Sequence, residues 1–339
     1  MSKKSISVLN LKNNFKNNKK ISEKFLIFKN SLKTLKKNNF IVAVSGGPDS
    51  LALAAFSKAL QYEKKIKVFY VLIDHGIRKD SSKEAFKVKR LLKDYKIPLN
   101  ILTNKKKITK NIQKNAREVR YQLLTKFSKK KNIKYILTAH HSDDQIETFL
   151  IRLSRGSGVQ GLSSMKKISN LEGNIKIFRP LLDFKKKDLI YLSKNIFGKV
   201  FKDPSNLNKK YLRTRVRKLK QMLEKNGIHH DRILQSIKNL RSTTETINLY
   251  LKKIYQNNVK KKKKEIVIDL KNISKETTEI QLKVISQAIK IFNKSYYPPR
   301  SKKIMNLITS LAKNNQKKFT LSGCVIIKSN NFLSIKKEA

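Results

Sequence analysis

Phe40-Ile41-Val42-Ala43-Val44-Ser45-Gly46-Gly47-Pro48-Asp49-Ser50 is an apolar run that halts at a polar, glycine-rich turn before Leu- and Ala-rich sequence resumes at Leu51. Unbroken β-branched and aromatic residues predict a buried strand, and the Leu/Ala-rich segment after the turn predicts a helix. Gly46 and Gly47 let backbone approach a ligand closely, and the orphan N–H groups and dipole at a helix start favour an anion. The turn either joins strand to helix and does nothing more, or it cradles a phosphate. It is not a Walker loop, because the Gly-x-x-x-x-Gly-Lys-Ser/Thr spacing is absent and no lysine lies between Ser45 and Ser50. Asp49 stands there instead, and a carboxylate beside a phosphate suggests Mg²⁺ bridging the two.

Outward from this turn, apolar runs predict strands over 68–73, 99–103, 135–138 and 175–178. Helical patterns precede, separate and follow them over 21–35, 82–95, 111–129, 145–154 and 185–196, and Ser142 and Gln145 are spaced as a capping box. Such alternation predicts an α/β fold with a doubly wound, mostly parallel sheet, whose ligands bind beyond the carboxyl ends of the strands. Three polar clusters fall at those ends: Ser45 to Ser50, Asp74 to Arg78, and His140 to Asp144. Residues 155–161 are too glycine-rich for regular structure and read as a mobile loop or a second backbone cradle. Asp203-Pro204-Ser205-Asn206 reads as a turn.

Arg213, Arg215 and Arg217 cluster in a chain whose cations are mostly lysine, and their forked guanidinium groups suit bidentate phosphate contacts. After Leu219 the pattern changes to a smaller α+β module. It has a long helix over 231–257, a lysine run at 260–264 that reads as a solvated loop, a strand over 266–270, helices over 277–292 and 302–312, and strands over 319–321 and 324–327. The expected division is a basic N-terminal arm (1–20), either frayed or an amphipathic turn, then a catalytic domain (21–217) and an α+β domain (218–339).

The 339 residues, 39% of them hydrophobic, are enough for two cored domains. The net charge of +56 predicts attraction to polyanions, nucleic acid foremost, although a lineage-wide leaning toward Lys, Asn and Ile accounts for part of it. A single cysteine, Cys324, excludes an intramolecular disulfide framework and an all-cysteine zinc site. No apolar stretch approaches the roughly 20 residues of a membrane span, and the N-terminus lacks a signal-peptide core, so a cytoplasmic protein without membrane partners is expected.

Taken together, SGGPDS at 45–50, DHGIR at 74–78, AREVRY at 116–121, TAHHSDDQIET at 138–148, RLSRGSGVQGL at 152–162, RPLL at 179–182 and DPSN at 203–206 resemble the tRNA(Ile)-lysidine synthases of the PP-loop ATP pyrophosphatase group, Rossmann-like in fold. The first motif alone indicates only the wider group; the fourth and fifth are far more specific. PPRS at 298–301 is more weakly similar to the family's tRNA-binding module. The chain departs from the family's Arg-Asn-x-Ile-Arg stretch at Thr214 and Arg215, and resembles its short form with one module after the catalytic domain.

The resemblance implies a two-step reaction. ATP adenylates the C2 oxygen of the wobble cytidine of a CAU-anticodon tRNA(Ile), releasing pyrophosphate; the amine of L-lysine then attacks C2 and expels AMP. It assigns Ser45, Gly46, Gly47 and Ser50 to the pyrophosphate and Asp49 to Mg²⁺, counts Pro48 with them in the ATP-binding loop, and sets Asp74 and His75 beside the adenosine. His140, Asp143, Asp144 and Glu147 concentrate acidity in a basic chain. Asp144 and Glu147, at i and i+3, can meet one cation such as substrate lysine, and a carboxylate or His140 can take its proton. The alternatives are a metal site or acids favoured by a helix start. Arg117 and Arg120 are candidates for stabilising developing charge; Arg155, Arg213, Arg215, Arg217 and Arg300 are candidates for tRNA contact. The rivals are a PP-loop tRNA thiolase, against which the isolated Cys324 speaks, and a catalytically silent tRNA-binding protein.

Overall fold

The computed structural model describes residues 11–35, 39–78, 80–104, 108–201, 212–293, 299–312 and 318–338. The chain forms two compact units, Met1–Leu240 and Arg241–Ala339.

In the first unit, helices α1 (11–17) and α2 (Lys19–Leu32) lead into strand β1 (Phe40–Val44) and helix α3 (Pro48–Glu63). Then follow β2 (Val68–Asp74), α4 (Ser81–Asp94), β3 (Leu99–Thr103), α5 (Ile112–Lys130), β4 (Tyr135–Leu137) and α6 (Ser142–Leu153). A short α7 (Val159–Leu162), β5 (Ile168–Asn170), β6 (Lys176–Phe178), α8 (Lys186–Phe197) and α9 (Leu212–Lys225) come next. The sheet order is β3-β2-β1-β4-β6-β5, parallel except where the short β5 pairs antiparallel with β6.

Strand alternation explains why helices cover both faces. Phe40, Val42 and Val44 of β1, with Val68, Tyr70 and Leu72 of β2, enter one core against α2, α3, α4 and α8. Ile41 and Val71, the intervening residues, enter a second core with Leu124 of α5 and Ile136 of β4. Period-two side-chain alternation thus gives each central strand two apolar faces, as a doubly wound parallel sheet requires. Part of the expected basic arm joins the first core: Leu11 is fully buried, and the Phe15 ring lies 4.9 Å from that of Phe25. Residues 11–17 are therefore helical and packed, while 1–10 lie outside the described residues.

Helix α10 (His230–Asn258) begins in the first unit, where Ile233 and Ile237 pack on Ile146 and Phe149 of α6. The second unit adds β7 (Val259–Lys261), β8 (Glu265–Asp269), α11 (Leu270–Ile273), α12 (Thr278–Phe292), α13 (Ser301–Ala312), β9 (Lys318–Leu321), β10 (Cys324–Ser329) and β11 (Phe332–Lys337). Its antiparallel sheet runs β7-β8-β11-β10-β9 around a core that includes Ile266, Val284, Ile304, Ile326 and Ile335. The lysine run is only partly loop. Lys260 and Lys261 pair with Val267 and Ile266, because a two-stranded ladder needs backbone rather than apolar side chains on its exposed face. Among the described residues no helix is long and apolar enough to cross a membrane.

Candidate active site

The strand order reverses between β1 and β4, so the loops after these two strands open at a topological switch point, where α/β sheets bind ligands. The loop after β1 is tightly organised. Ser50 Oγ donates to the Gly47 carbonyl (2.9 Å) and accepts from the Ser45 N–H (3.0 Å), while the Ser45 hydroxyl stands 3.2 Å away. Gly47 caps α3 and Pro48 opens it, the position where a missing N–H costs nothing. Gly46 has φ +83°, and a Cβ there would lie 2.6 Å from Val88 Cγ2 of α4, so only glycine fits.

From the loop after β4, His141 reaches the same place. It is buried at 3% exposure, with Nε2 3.5 Å from Asp49 Oδ2 and 3.6 Å from Asp144 Oδ2, and Nδ1 3.8 Å from Asp143 Oδ2. Burial works against its protonation, but the hydrogen bond to Asp49 and the charges of Asp144, Asp49 and Asp143 prevail and raise its pKa. His141, not His140, is therefore the imidazole that joins the phosphate-type loop to the acidic cluster. Sequence reasoning singled out its neighbour because adjacent histidines after a strand carry no signal of which points inward.

His140 has the opposite electrostatics. Burial lowers its pKa to about 3, and Arg179, Arg117 and Arg213 reinforce this against the pull of Asp144. The imidazole is neutral, with Nδ1 2.9 Å from Thr138 Oγ1. At the end of β2, Asp74 closes its own turn: Oδ1 accepts from the Gly76 N–H (3.0 Å) and Oδ2 from Ser82 Oγ (2.5 Å). Burial raises its pKa, but these bonds outweigh burial and hold the carboxyl low. His75 is neutral too, lowered to about 4 by burial and then by Arg120, and neither ring nitrogen has a hydrogen-bond partner.

The expected capping box lies one residue earlier. His141 caps α6 and Asp144 accepts its backbone N–H at 3.1 Å. Gln145 instead grips Met165, accepting its N–H (2.7 Å) and donating to its carbonyl (3.1 Å). Arg152 adds bonds to the carbonyls of Gly161 (2.6 Å) and Ser164 (3.0 Å). The glycine-rich stretch after α6 is thereby fastened to that helix and includes the helical turn α7, rather than lacking regular structure.

The acidic residues divide. Glu147, 2% exposed, accepts from Arg217 Nε at 2.7 Å, and Asp143 Oδ1 pairs with Lys220 Nζ. The backbone N–H of Lys186 reaches Asp143 Oδ2 at 3.4 Å. Burial raises the pKa of Asp143 and of Asp144. Lys220, His141 and Lys186 lower the first, and His141, His140 and Arg213 lower the second, so both stay ionised. Arg217, expected on tRNA, thus faces inward to Glu147, and Glu147 meets a cation of its own chain. Asp144 faces His141, and Asp49 Oδ1 is buried without a partner.

Arg117 lies over the Tyr121 ring (5.0 Å), and Arg117, Arg120, Arg155, Arg213, Arg215 and Arg300 are exposed. Arg117 and Arg213 bear electrostatically on His140, after β4, and Arg120 on His75, after β2. Arg300 is in the second unit. Pro298 and residues 203–206 fall outside the described residues. Buried Arg179, which donates to the Lys166 carbonyl and Ser169 Oγ (both 2.7 Å), belongs to the RPLL stretch but was given no role by sequence, and Lys220 was not singled out; a basic residue in an apolar helix face is the one signal that marks Lys220.

Residues 17–223 match the PP-loop domain family. In fold, the chain is similar to a U34-tRNA thiolase from Methanococcus maripaludis with its [4Fe-4S] cluster (TM-score 0.54, 20% identity, 66% of this chain and 80% of that one). In sequence, it is 35% identical over 307 residues to the tRNA(Ile)-lysidine synthase of Wolbachia pipientis wMel, covering 89% of this chain and 71% of that one. It is 33% identical to that of Orientia tsutsugamushi (88% and 69%), and 41% identical over 192 residues to that of Rhodopseudomonas palustris (55% of each). With a glycine-bearing loop and an acidic helix start meeting at the switch point of a parallel sheet, the chain belongs to the PP-loop family and, within it, to the tRNA(Ile)-lysidine synthases.

Proposed function

We propose that this chain uses ATP to ligate L-lysine to C2 of the wobble cytidine of a CAU-anticodon tRNA(Ile), through an adenylated cytidine, with release of pyrophosphate and AMP. The observation that carries this is the convergence of Asp49, at the start of α3, and Asp144, on α6, upon His141. It sets an anion-binding helix start beside a carboxylate suited to an ammonium. Ser45, Gly46, Gly47 and Ser50 hold the pyrophosphate portion of ATP, with Pro48 opening the helix of that loop, and the adenosine lies toward Asp74 and His75. The neutral, unpartnered ring of His75 suits an uncharged base.

Asp49 fits Mg²⁺, since its buried Oδ1 lacks a partner. Among the described residues no group of three or more His, Cys, Asp or Glu side chains forms a metal cage. Mg²⁺ characteristically takes one or two carboxylates and completes its shell with phosphates and water. When bound it supplies charge neutralisation for the leaving pyrophosphate.

Asp144 attracts the lysine, since Asp143 and Glu147 are held by Lys220 and Arg217. The attacking amine must be neutral, and the Asp144 carboxylate that draws it is placed to accept its proton, while His140, with its pKa lowered to about 3, is a poor acceptor. Arg117 and Arg120 stabilise charge on the phosphate or base. Arg155, Arg213, Arg215 and Arg300 contact tRNA phosphates, and catalysis resides in the first unit with tRNA contact extended by the second. A cytoplasmic location is proposed from the tRNA substrate. Thiolation is disfavoured because the single cysteine, Cys324, is buried in the second unit.

The test supplies ATP, labelled lysine and unmodified tRNA(Ile) transcript. Label should enter the RNA in an ATP-dependent manner, one lysine per AMP released. ATP binding or turnover without labelled RNA would refute the assignment.

A further inference from the structure

Helices α6 and α9 pair their charges in opposite order. Arg217 and Lys220, one turn apart on α9, meet Glu147 and Asp143, one turn apart on α6. Arg217 is one-third exposed, but Lys220 is buried at 8%, an uncommon place for a lysine unless its charge is matched. Its backbone carbonyl faces His230 Nε2 at 3.3 Å, tying this turn of α9 to the start of α10. The ammonium it presents to Asp143 is the same chemical group that a lysine substrate carries.

We propose that Lys220 is a positioning and specificity-determining residue of the lysine site. It is a resident ammonium that occupies Asp143 so that an incoming ammonium is directed to Asp144 and the Asp49 side of the crevice. This rests on the lysine-ligating reading above. Asp143 Oδ2 is 3.8 Å from His141 Nδ1, and the same imidazole stands 3.6 Å from Asp144. The two carboxylates thus flank one imidazole, Asp143 at Nδ1 and Asp144 at Nε2, and either can draw an incoming cation unless it is already filled. A lysine seated on Asp143 would be displaced from the crevice between β1 and β4, and small misplacements of a nucleophile cost large factors in rate.

The experiment uses the full chain as Lys220→Met, Lys220→Arg and the double variant Lys220→Met/Asp143→Asn. One arm measures binding of 1,5-diaminopentane by calorimetry; the other measures kcat and KM for lysine with ATP and tRNA. Freed in Lys220→Met, Asp143 captures ammonium groups: the diamine binds at least tenfold tighter than to the parent chain, and kcat and lysine KM fall together. Lys220→Arg restores diamine exclusion and the parent lysine KM, because guanidinium also fills Asp143. The double variant loses the tight diamine binding, because capture requires the carboxylate. If Lys220→Met does not fold, Lys220→Gln, which keeps a donor but no charge, takes its place. Unchanged or weaker diamine binding, a fall in kcat with lysine KM unaltered, or tight binding that survives in the double variant would each overturn the proposal. Failure of the parent chain to transfer lysine would refute the function instead, and the diamine arm would still decide the role of Lys220.

Discussion

Replacing Arg217 by Met removes the cation that Glu147 meets. Glu147 is 2% exposed, its Oε1 accepts from Arg217 Nε at 2.7 Å, and its Oε2 has no hydrogen-bond partner. Breaking a buried ion pair by removing one partner costs about 3–5 kcal/mol, since the remaining charge stays desolvated. Arg217 is 33% exposed, so water can enter from its side once the guanidinium is gone, which places the expected loss at the low end, about 3 kcal/mol. For a unit of this size each kcal/mol moves the melting midpoint by about 2–4 °C, so the first unit should melt roughly 6–12 °C lower. The double variant Arg217→Met/Glu147→Met carries no orphaned charge and should regain all but about 1 kcal/mol, because apolar replacement of a buried pair is close to neutral. Urea and thermal melts of parent, single and double variants decide it. A single variant within about 1 kcal/mol of the parent, or a double no better than the single, would refute the claim that Arg217 neutralises Glu147.

Other outcomes follow from the same geometry. Gly46→Ala should cost about 1–2 kcal/mol from the left-handed backbone alone, and push Val88 and α4 outward; titration with ATP should show at least a tenfold loss of affinity, and unchanged binding would count against the anion-loop assignment. Asp144→Asn should abolish lysine transfer while leaving nucleotide binding largely intact; equal loss of both would move Asp144 to the metal. His75, whose pKa falls from 6.5 to about 4 on folding, contributes stability that is present above pH 6.5 and lost as pH drops toward 4. The urea midpoint of the parent should therefore decline more steeply between pH 7 and 4.5 than that of His75→Asn, and identical slopes would show that His75 is not desolvated. His141 runs the other way: its raised pKa gives stability that is full below 6.5 and lost as pH rises through the folded value.

The parallel sheet was legible because β1 and β2 carry unbroken β-branched and aromatic runs that a strand buried on both faces requires. The first unit's short β5, with Ile168 its one apolar residue, gave no such signal, and neither did the exposed ladder residues Lys260 and Lys261. The turn between β1 and α3 could be read from Gly46 and Pro48, whose conformational roles are local. The acidic cluster could be located but not apportioned. Which of Asp143, Asp144 and Glu147 is paired within the chain depends on Arg217 and Lys220, about seventy residues downstream, and only the packing of α9 on α6 brings them there. Which histidine meets the acids was equally a matter of tertiary structure, since His141 reaches Asp49 and Asp144 while His140 turns to Thr138.

The most direct measurement is a two-stage labelling experiment with ATP labelled at its α-phosphate. Without lysine, the chain should transfer label to tRNA(Ile) with release of pyrophosphate; added lysine should then discharge that label as free AMP, mole for mole with lysine gained by the RNA. Label that never joins the tRNA, or that lysine cannot discharge, would contradict adenylation of the base followed by attack of lysine.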